Sequence, residues 1–314
     1  MWTASQRRLR NLVDFIRLGR PLFLAGGFVF HALGVSIAVF QGFEINWAAL
    51  VLGQVAITSI QLMTHYANDF YDLPADRLNL TPTRWSGGSR ILAEGRLPPK
   101  AGLYGAVVFA GIALATTLIL GLVVQPAPGT IPLLLLLMFL AWEYSAPPLR
   151  LHSRGAGEMT VALIVPVLTP LVGYYLQAGR LDLLPLLASF PLACLQAAMI
   201  LVINFPDAAG DQQVSKRTLV LRLGPAGAVR FYLGLLAIAY LTLPLLVWAC
   251  LPPPVAFAIL LMLPLALWQG WRMQRGAWNE PAAWNSLGFW SIGLLMGSAM
   301  LETGAFFWLA VSSQ

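Results

Sequence analysis

Residues 46–76 read NWAALVLGQVAITSIQLMTHYANDFYDLPAD, an apolar run of membrane-spanning length that passes directly into a cluster of acids. An α-helix needs about 20 apolar residues to cross the hydrocarbon core of a bilayer. The cluster that follows the run is Asn68-Asp69-x-x-Asp72-x-x-x-Asp76. On a helix these four side chains fall within one arc of about 100°. The stretch therefore predicts a spanning helix with an acidic face at its end.

The composition of the whole chain indicates a membrane protein throughout. Of its 314 residues 58% are hydrophobic and only 10% are charged, and the mean hydropathy is +0.74. Soluble domains are about 45–50% apolar and about 25% charged, so a water-soluble globule is excluded. We expect an all-α polytopic membrane protein with a single domain over 1–314 and a basic N-terminal arm over 1–20. Nine transmembrane helices are predicted, at residues 21–41, 46–67, 101–124, 129–146, 159–178, 182–204, 229–250, 253–271 and 286–310.

The basic residues predict the orientation of these helices. One set of segments holds every Lys and Arg except Arg180: 1–20, 68–100, 147–158, 205–228 with the nearby Arg230, and 272–285. Lys and Arg collect on the cytoplasmic side of membrane proteins. The N-terminus and these connections are therefore predicted to be cytoplasmic, in a prokaryotic plasma membrane, with the C-terminus on the opposite side. This topology explains the net charge of +6, and no nucleic-acid partner is expected.

A second acidic cluster, Asn204-x-x-Asp207-x-x-x-Asp211, repeats the spacing of the first, with Asp207 matching Asp72 and Asp211 matching Asp76. Each cluster contains a proline, Pro74 or Pro206, so the helix is expected to bend or unwind there. The clusters begin the two longest polar connections, 68–100 and 205–228. Both connections are predicted to be cytoplasmic active-site loops.

Like charges on one helical face repel each other, and acids near the hydrocarbon are costly. Carboxylate oxygens are the ligands that Mg²⁺ prefers, so we predict a Mg²⁺ site between the two clusters. The alternative is that the acids pair with nearby arginines in a solvated loop. The predicted metal ligands are Asn68, Asp69, Asp72, Asp76, Asn204, Asp207 and Asp211.

Both clusters resemble motifs of the UbiA superfamily of intramembrane aromatic prenyltransferases. Asn68 to Asp76 is similar to the family's first motif, N-D-x-x-D-x-x-x-D, and Asp207 to Asp211 is similar to its second, D-x-x-x-D. Lys216-Arg217-Thr218-Leu219-Val220-Leu221-Arg222-Leu223-Gly224 resembles the family's G-K-R-T-L-A-V-R-L-G, with Ser215 in place of the first glycine. The resemblance covers roughly residues 14 to 250.

Within the superfamily the likeness is greatest to the MenA branch, which prenylates 1,4-dihydroxy-2-naphthoate. It is carried by Ser86-Gly87-Gly88-Ser89-Arg90 with Glu94-Gly95, and by Tyr144 to Leu151 with Gly155 to Glu158. These elements also occur, with variations, in branches that use other acceptors. Transfer to 4-hydroxybenzoate, homogentisate or a glyceryl phosphate lipid therefore remains an alternative.

The resemblance implies a UbiA-type bundle whose central cavity is capped by the cytoplasmic loops. It also implies Mg²⁺-dependent transfer of an isoprenyl chain from a polyprenyl diphosphate to an aromatic acceptor in menaquinone or phylloquinone biosynthesis. The expected partners are these two substrates and the lipid bilayer, with no protein partner. A cation-coupled transporter is a second alternative, because acids and broken helices also occur in transporters.

Departure of diphosphate leaves negative charge on the leaving group and positive charge on the prenyl C1 atom. The predicted catalytic residues are Asp72, Asp76, Asp207, Asp211 and Tyr144, whose aromatic face would attract the cation. The predicted diphosphate-binding residues are Asn68, Arg90, Arg150, Lys216 and Arg222, through charge-assisted hydrogen bonds.

Two further acids, Glu143 and Glu158, end or begin predicted spans. They are expected to orient the acceptor or to pair with Arg150 and Arg154, and ion pairing is the preferred interpretation.

Overall fold

The computed structural model describes residues 4–312, and over this range the chain is helical without a β-strand. The α-helices are α1 (Ala4–Leu18), α2 (Ala25–Phe40), α3 (Trp47–Tyr71), α4 (Leu73–Leu78), α5 (Lys100–Ile119), α6 (Thr130–Glu143), α7 (Gly157–Leu163), α8 (Thr169–Ala178), α9 (Leu184–Gln213), α10 (Leu219–Leu241), α11 (Leu243–Trp248), α12 (Pro253–Leu260), α13 (Leu263–Gln274) and α14 (Pro281–Ser312). Short 3₁₀ turns lie at Pro21–Leu24, Leu151–Arg154 and Ala277–Asn279, and π-helical turns at Leu120–Val124 and Ile164–Leu168.

Within residues 4–312, seven helical stretches are long and apolar enough to cross a membrane. Helices α12 and α13 meet at an angle of 41° and add an eighth span if they are counted together. Helix α6 lies where the fourth span is predicted, but it has only 14 residues. The described helices thus make the protein an integral membrane protein with seven or eight candidate spans, and the number nine stays a prediction.

Helix α3 begins and ends where its sequence dictates. Asn46 precedes the first turn, and its side-chain oxygen accepts a 3.0 Å hydrogen bond from the backbone nitrogen of Ala49, which caps the helix. At the other end α3 stops at Tyr71, and Pro74 lies in the first turn of α4, where its missing N–H costs little. The predicted break at the first proline is confirmed, and Asp72 lies at the junction of the two helices.

Helix α9 does not break at its proline. It is continuous from Leu184 to Gln213 and includes both Pro191 and Pro206. The predicted unwinding at Pro206 is wrong, because membrane helices tolerate an internal proline when neighbouring groups satisfy the freed backbone. The second cluster therefore lies on a helix, and the predicted loop 205–228 shrinks to the segment 214–218 between α9 and α10. A kink follows at Gly224, which has a φ of 66°.

Helices α2 and α8 pack backbone to backbone through glycines. A Cβ atom on Gly34 would lie 1.9 Å from the carbonyl oxygen of Pro170, and one on Gly173 would lie 2.5 Å from that of His31. Small residues permit this close approach between membrane helices, where packing drives association. The contact fixes α2 in the bundle, and α2 supplies part of the cavity wall described below.

Glu302 is a buried acid on α14 that is remote from the acidic clusters in sequence. Its side chain is fully buried, and neither carboxylate oxygen has a hydrogen-bond partner among the described residues. An unsatisfied buried polar group costs about 1–3 kcal/mol. We expect Glu302→Met to raise the melting temperature of the detergent-purified protein by roughly 2 °C or more, whereas the exposed Glu44→Met should not change it. A lower melting temperature for Glu302→Met would show that the carboxylate has a stabilising partner.

Candidate active site

A cavity of about 600 Å³ lies between α2, α3, α7, α9 and α14. Its wall has a polar part and an apolar part. The polar part contains members of both acidic clusters, namely Asn68, Asp72, Asp76, Asn204, Asp207 and Asp211. The apolar part includes Phe30, Ile60, Val161, Ile164, Met199, Ile203, Ile292 and Met296. One cavity therefore joins a charged site to a wall that suits a hydrocarbon.

Asp72 is the centre of the polar wall. Its Oδ1 atom lies 2.7 Å from Nε2 of His152, and its Oδ2 atom accepts hydrogen bonds from Lys216 Nζ and Asn68 Nδ2, both at 3.0 Å. Burial favours the neutral acid, but the charges of His152 and Lys216 outweigh it and hold the pKa of Asp72 below its usual range. This carboxylate is therefore ionised and fixed in position.

Lys216 joins the two clusters. Its Nζ atom lies 3.0 Å from Asp72 Oδ2 and 3.0 Å from Asp211 Oδ1, and its side chain is only 10% exposed. Burial lowers the pKa of Lys216, but the charges of these two carboxylates outweigh it, so the net shift is upward. The ammonium group therefore stays charged between the last turn of α9 and the end of α3.

The second cluster is also tied to the segment that follows the first. Asp207 Oδ1 accepts a 2.7 Å hydrogen bond from Asn79 Nδ2, and Asp207 Oδ2 accepts one of 3.1 Å from the backbone nitrogen of Gly87. Gly87 has a φ of 75°, a left-handed conformation that favours glycine. The Ser86-Gly87-Gly88-Ser89 turn thus supplies one backbone donor, the Gly87 nitrogen, to an acid of the other cluster.

Asp69 and Asp76 have different environments. Asp69 is buried, ion-paired with Arg20 and hydrogen-bonded by Ser89, and it does not line the cavity. Asp76 lines the cavity, and burial followed by the charges of Asp72, Asp69 and Asp207 raises the pKa of Asp76 to about 8, against the opposing effect of Arg20. Asp76 is therefore surrounded by acidic groups, and a bound cation would offset their repulsion.

The structure separates the predicted diphosphate-binding residues. Lys216 and Asn68 line the cavity, whereas Arg90, Arg150 and Arg222 do not. Arg90 donates to the backbone carbonyl of Asp76 and is a support for that turn. Arg150 and Arg222 are exposed, so their placement does not support direct contact with a diphosphate.

Two cavity-lining residues that contact the acids were not predicted as site residues: Arg20 and His152. Arg20 comes from the N-terminal arm and His152 from the turn after α6, both far along the chain from the acids they contact. The only sequence feature that singles out Arg20 is its position at the end of the basic N-terminal arm. The charge of that arm is already explained by membrane topology.

Tyr144 lines the cavity as predicted, at the end of α6.

Glu143 and Glu158 do not form the preferred ion pairs. Glu143 accepts a 2.7 Å hydrogen bond from the backbone nitrogen of Leu149, and Glu158 accepts one of 2.9 Å from Asn204 Nδ2. Both acids instead accept hydrogen bonds from nearby donors. Arg150 is exposed, and Arg154 donates to the backbone carbonyl of Pro148. The ion-pair interpretation is therefore wrong.

The donor set fits Mg²⁺ in its chemistry. In the described part of the chain no three Asp, Glu, His or Cys side chains converge closely enough to hold a metal ion by themselves. Mg²⁺ usually binds through one or two carboxylates together with substrate phosphates and water, so a complete protein cage is not required. The crowded acids around Asp76, whose pKa is raised to about 8, fit a site completed by a divalent cation.

Comparison with known proteins agrees with this geometry. The UbiA prenyltransferase family model matches residues 28–310. The chain is 27% identical over 240 residues to a 1,4-dihydroxy-2-naphthoate octaprenyltransferase of Mycobacterium leprae (strain TN), covering 76% of this chain and 79% of the relative. It is 26% identical over 264 residues to the enzyme of the same name from Bacillus subtilis (strain 168), covering 83% and 82%.

The fold is also similar to that of a solved UbiA homolog from Archaeoglobus fulgidus bound to GPP and Mg²⁺. The TM-score is 0.64 at 17% identity, and the match covers 92% of this chain and 99% of the other. Because the family model matches residues 28–310, most of the chain, this protein belongs to the UbiA prenyltransferase family and is a prenyltransferase.

Proposed function

We propose that this protein transfers an isoprenyl chain from a polyprenyl diphosphate to 1,4-dihydroxy-2-naphthoate in a Mg²⁺-dependent reaction. The observation that carries the proposal is the arrangement of the cavity. Acids from the α3–α4 junction, α4 and α9 line its polar wall together with Lys216, and the rest of the wall is largely apolar. A prenyl diphosphate has the same division into a polyanion and a hydrocarbon.

The residues that would hold Mg²⁺ are Asn68, Asp72, Asp76, Asp207 and Asp211, with Asn204 beside them. When bound, the metal supplies positive charge that stabilises the departing diphosphate. Lys216, Arg20 and Arg84 line the same cavity and add charge-assisted hydrogen bonds to the diphosphate oxygens. His152 and Lys216 hold Asp72 ionised, so this acid is ready for a cation without losing a proton.

The bond between the prenyl C1 atom and the diphosphate oxygen then breaks, and a ring carbon of the acceptor forms a bond to C1. Tyr144 offers an aromatic face to the positive charge at C1. Where the attacked ring carbon carries hydrogen, its proton then leaves to a base or to the released diphosphate; where it carries a carboxylate, CO₂ leaves in place of the proton. With dihydroxynaphthoate, the family resemblance implies that the carbon carrying the carboxylate is attacked and that CO₂ leaves.

The choice of dihydroxynaphthoate rests on the Ser86 to Arg90 and Tyr144 to Glu158 motifs and on the similarity to two enzymes named for that acceptor. Another acceptor, such as 4-hydroxybenzoate, homogentisate or a glyceryl phosphate lipid, would use the same donor site. A transporter is disfavoured because the acids gather at one end of α3 and α9 instead of near the middle of a span.

We also propose nine spans in one domain, with the N-terminus and the active site on the cytoplasmic face of a prokaryotic plasma membrane. The bent α12–α13 pair and the short α6 would be the two additional spans.

The segment 79–99 would cap the cavity, since Trp85 Nε1 donates a 2.8 Å hydrogen bond to the carbonyl of Asn285 at the start of α14. In a Cys194→Ala, Cys250→Ser background, cysteine-accessibility labelling of Ser312→Cys and Ser5→Cys in right-side-out vesicles should label only the first, and equal labelling would contradict the topology.

The raised pKa of Asp76 predicts that stability depends on pH in the metal-free protein. Its pKa rises from an ordinary value of 3.8 to about 8, so in this interval the folded state binds more protons than the unfolded state and stability falls as pH rises. In EDTA we expect the melting temperature to fall between pH 5 and pH 8.5, less so in Asp76→Asn. Mg²⁺ should raise it more at pH 8.5 than at pH 6. An identical pH profile in Asp76→Asn would contradict this assignment.

The function is tested with purified protein in nanodiscs, given Mg²⁺, labelled geranylgeranyl diphosphate and each acceptor in turn. We expect prenylated product with dihydroxynaphthoate. Product with 4-hydroxybenzoate or homogentisate and none with the naphthoate would keep the donor site and overturn the acceptor. No product and no diphosphate release with any acceptor would overturn the enzymatic proposal.

A further inference from the structure

Glu158 has one oxygen that the protein does not use. Its side chain is 1% exposed and lines the cavity. The Oε1 atom accepts hydrogen bonds from Asn204 Nδ2 at 2.9 Å and from the backbone nitrogen of Leu219 at 3.1 Å. The Oε2 atom is buried and has no hydrogen-bond partner in residues 4–312. Buried carboxylate oxygens are rarely left without a donor, because the cost of desolvation is then not repaid.

Thr218 leaves a second polar atom unpaired at the same place. It is the residue before Leu219, whose nitrogen contacts Glu158, and it also lines the cavity. Although Thr218 stands at the N-cap position of α10, its side chain makes no capping hydrogen bond. Its Oγ1 atom is buried and without a partner among the described residues. Glu158 and Thr218 therefore each bring an unpaired polar atom to the cavity wall, next to the hydrogen bond between Leu219 and Glu158.

The surroundings of this pair suit an aromatic ring. Tyr144 lines the same cavity, and its ring lies beside Gly157, the neighbour of Glu158, where an added Cβ atom would be 3.5 Å from the ring. A carboxylate that no metal ion bridges to the diphosphate repels it, so Glu158 and Thr218 do not suit the donor. A phenolic hydroxyl can donate to a carboxylate and accept from a threonine at once.

We propose that Glu158 Oε2 and Thr218 Oγ1 bind a hydroxyl group of the aromatic acceptor. The acceptor hydroxyl donates to Glu158 and accepts from Thr218, which orients the ring toward the prenyl site. Glu158 is thus a specificity-determining residue for hydroxylated aromatic acceptors. This inference rests on the proposed function only in taking the cavity's second substrate to be aromatic.

The test compares Glu158→Gln and Thr218→Val with Glu143→Gln. Gln at 158 can still accept from Leu219 and has nearly the same shape, but it places an amide donor where Oε2 accepts. Glu143 is a matched control, because it is also buried but does not line the cavity. Binding of 1,4-dihydroxy-2-naphthoate and of its dimethoxy analogue, which cannot donate, is measured under argon by quenching of tryptophan fluorescence, without donor or turnover.

We expect wild type to bind the dihydroxy compound about 10- to 100-fold more tightly than the dimethoxy analogue. Glu158→Gln should lose most of this preference and Thr218→Val part of it, whereas Glu143→Gln should keep it. In turnover, Glu158→Gln should raise the KM of the acceptor and leave the KM of the prenyl diphosphate unchanged.

Equal binding of the two compounds by wild type, or an unchanged preference in Glu158→Gln, would overturn the proposal. So would a shift in the Mg²⁺ requirement of Glu158→Gln with an unchanged acceptor preference, which would assign Glu158 to the support of Asn204. Tight, hydroxyl-dependent binding without any turnover would uphold this subsite and count against the proposed reaction alone.

Discussion

Replacing Asp72 with asparagine is expected to lower prenyl transfer by about 10²- to 10³-fold, the loss typical of removing one preorganised electrostatic group from an active site. Asp72 is the point at which His152, Lys216 and Asn68 converge. Asparagine keeps the shape and removes the charge, so Lys216 loses one of its two partners and the metal site loses a ligand. The defect should appear in kcat and also in the KM of the prenyl diphosphate, because the same metal site binds the donor.

The measurement is steady-state turnover of labelled prenyl diphosphate in nanodiscs. Asp182→Asn is the control, because Asp182 lies in the connection between α8 and α9, at the opposite end of α9 from Asp211. We expect the control to retain activity close to wild type. Activity of Asp72→Asn within tenfold of wild type, in protein with an unchanged melting temperature, would remove Asp72 from the machinery.

Replacing Lys216 with methionine is expected to reduce both stability and turnover. The Lys216 side chain is 10% exposed, and its ammonium group bridges Asp72 and Asp211 at 3.0 Å each. Breaking a buried ion pair by removing one partner costs about 3–5 kcal/mol, because the remaining charge is buried without compensation. In EDTA we therefore expect a loss of about 3 kcal/mol in the free energy of unfolding, and Mg²⁺ should restore part of it.

A double-mutant cycle isolates this effect. If Lys216 compensates Asp211, then Lys216→Met combined with Asp211→Asn should be more stable than Lys216→Met alone. Additive losses in the double variant would contradict the bridging role. Turnover should stay low in all three variants, because each lacks a cavity-lining charge.

The spans and the acidic clusters could be predicted because they are local patterns. Apolar runs of sufficient length specify membrane helices, and the repeated acid spacing specifies which helix ends carry charge. The effect of proline was harder to predict. Pro74 coincides with a helix break and Pro206 does not, since the packing around a membrane helix, and not the proline alone, decides whether the helix continues.

The contacts that complete the site could not be predicted, because they join distant segments. Arg20 reaches Asp69 across 49 positions and His152 reaches Asp72 across 80. Nothing in the local sequence of either residue indicates its partner. The arginines nearest to the clusters were the natural candidates for the diphosphate site, yet Arg150 and Arg222 are exposed. The two unpaired atoms of Glu158 and Thr218 become visible only when every hydrogen bond around them is known.

The central claim is that the acids of the α3–α4 junction, α4 and α9 bind a prenyl diphosphate together with Mg²⁺. It is tested most directly by equilibrium binding of a non-reacting geranylgeranyl thiolodiphosphate to wild type, Asp72→Asn and Asp207→Asn. We predict saturable binding to wild type that requires Mg²⁺ and is lost in both variants. Binding of equal strength in EDTA, or in both variants with Mg²⁺ present, would contradict the claim.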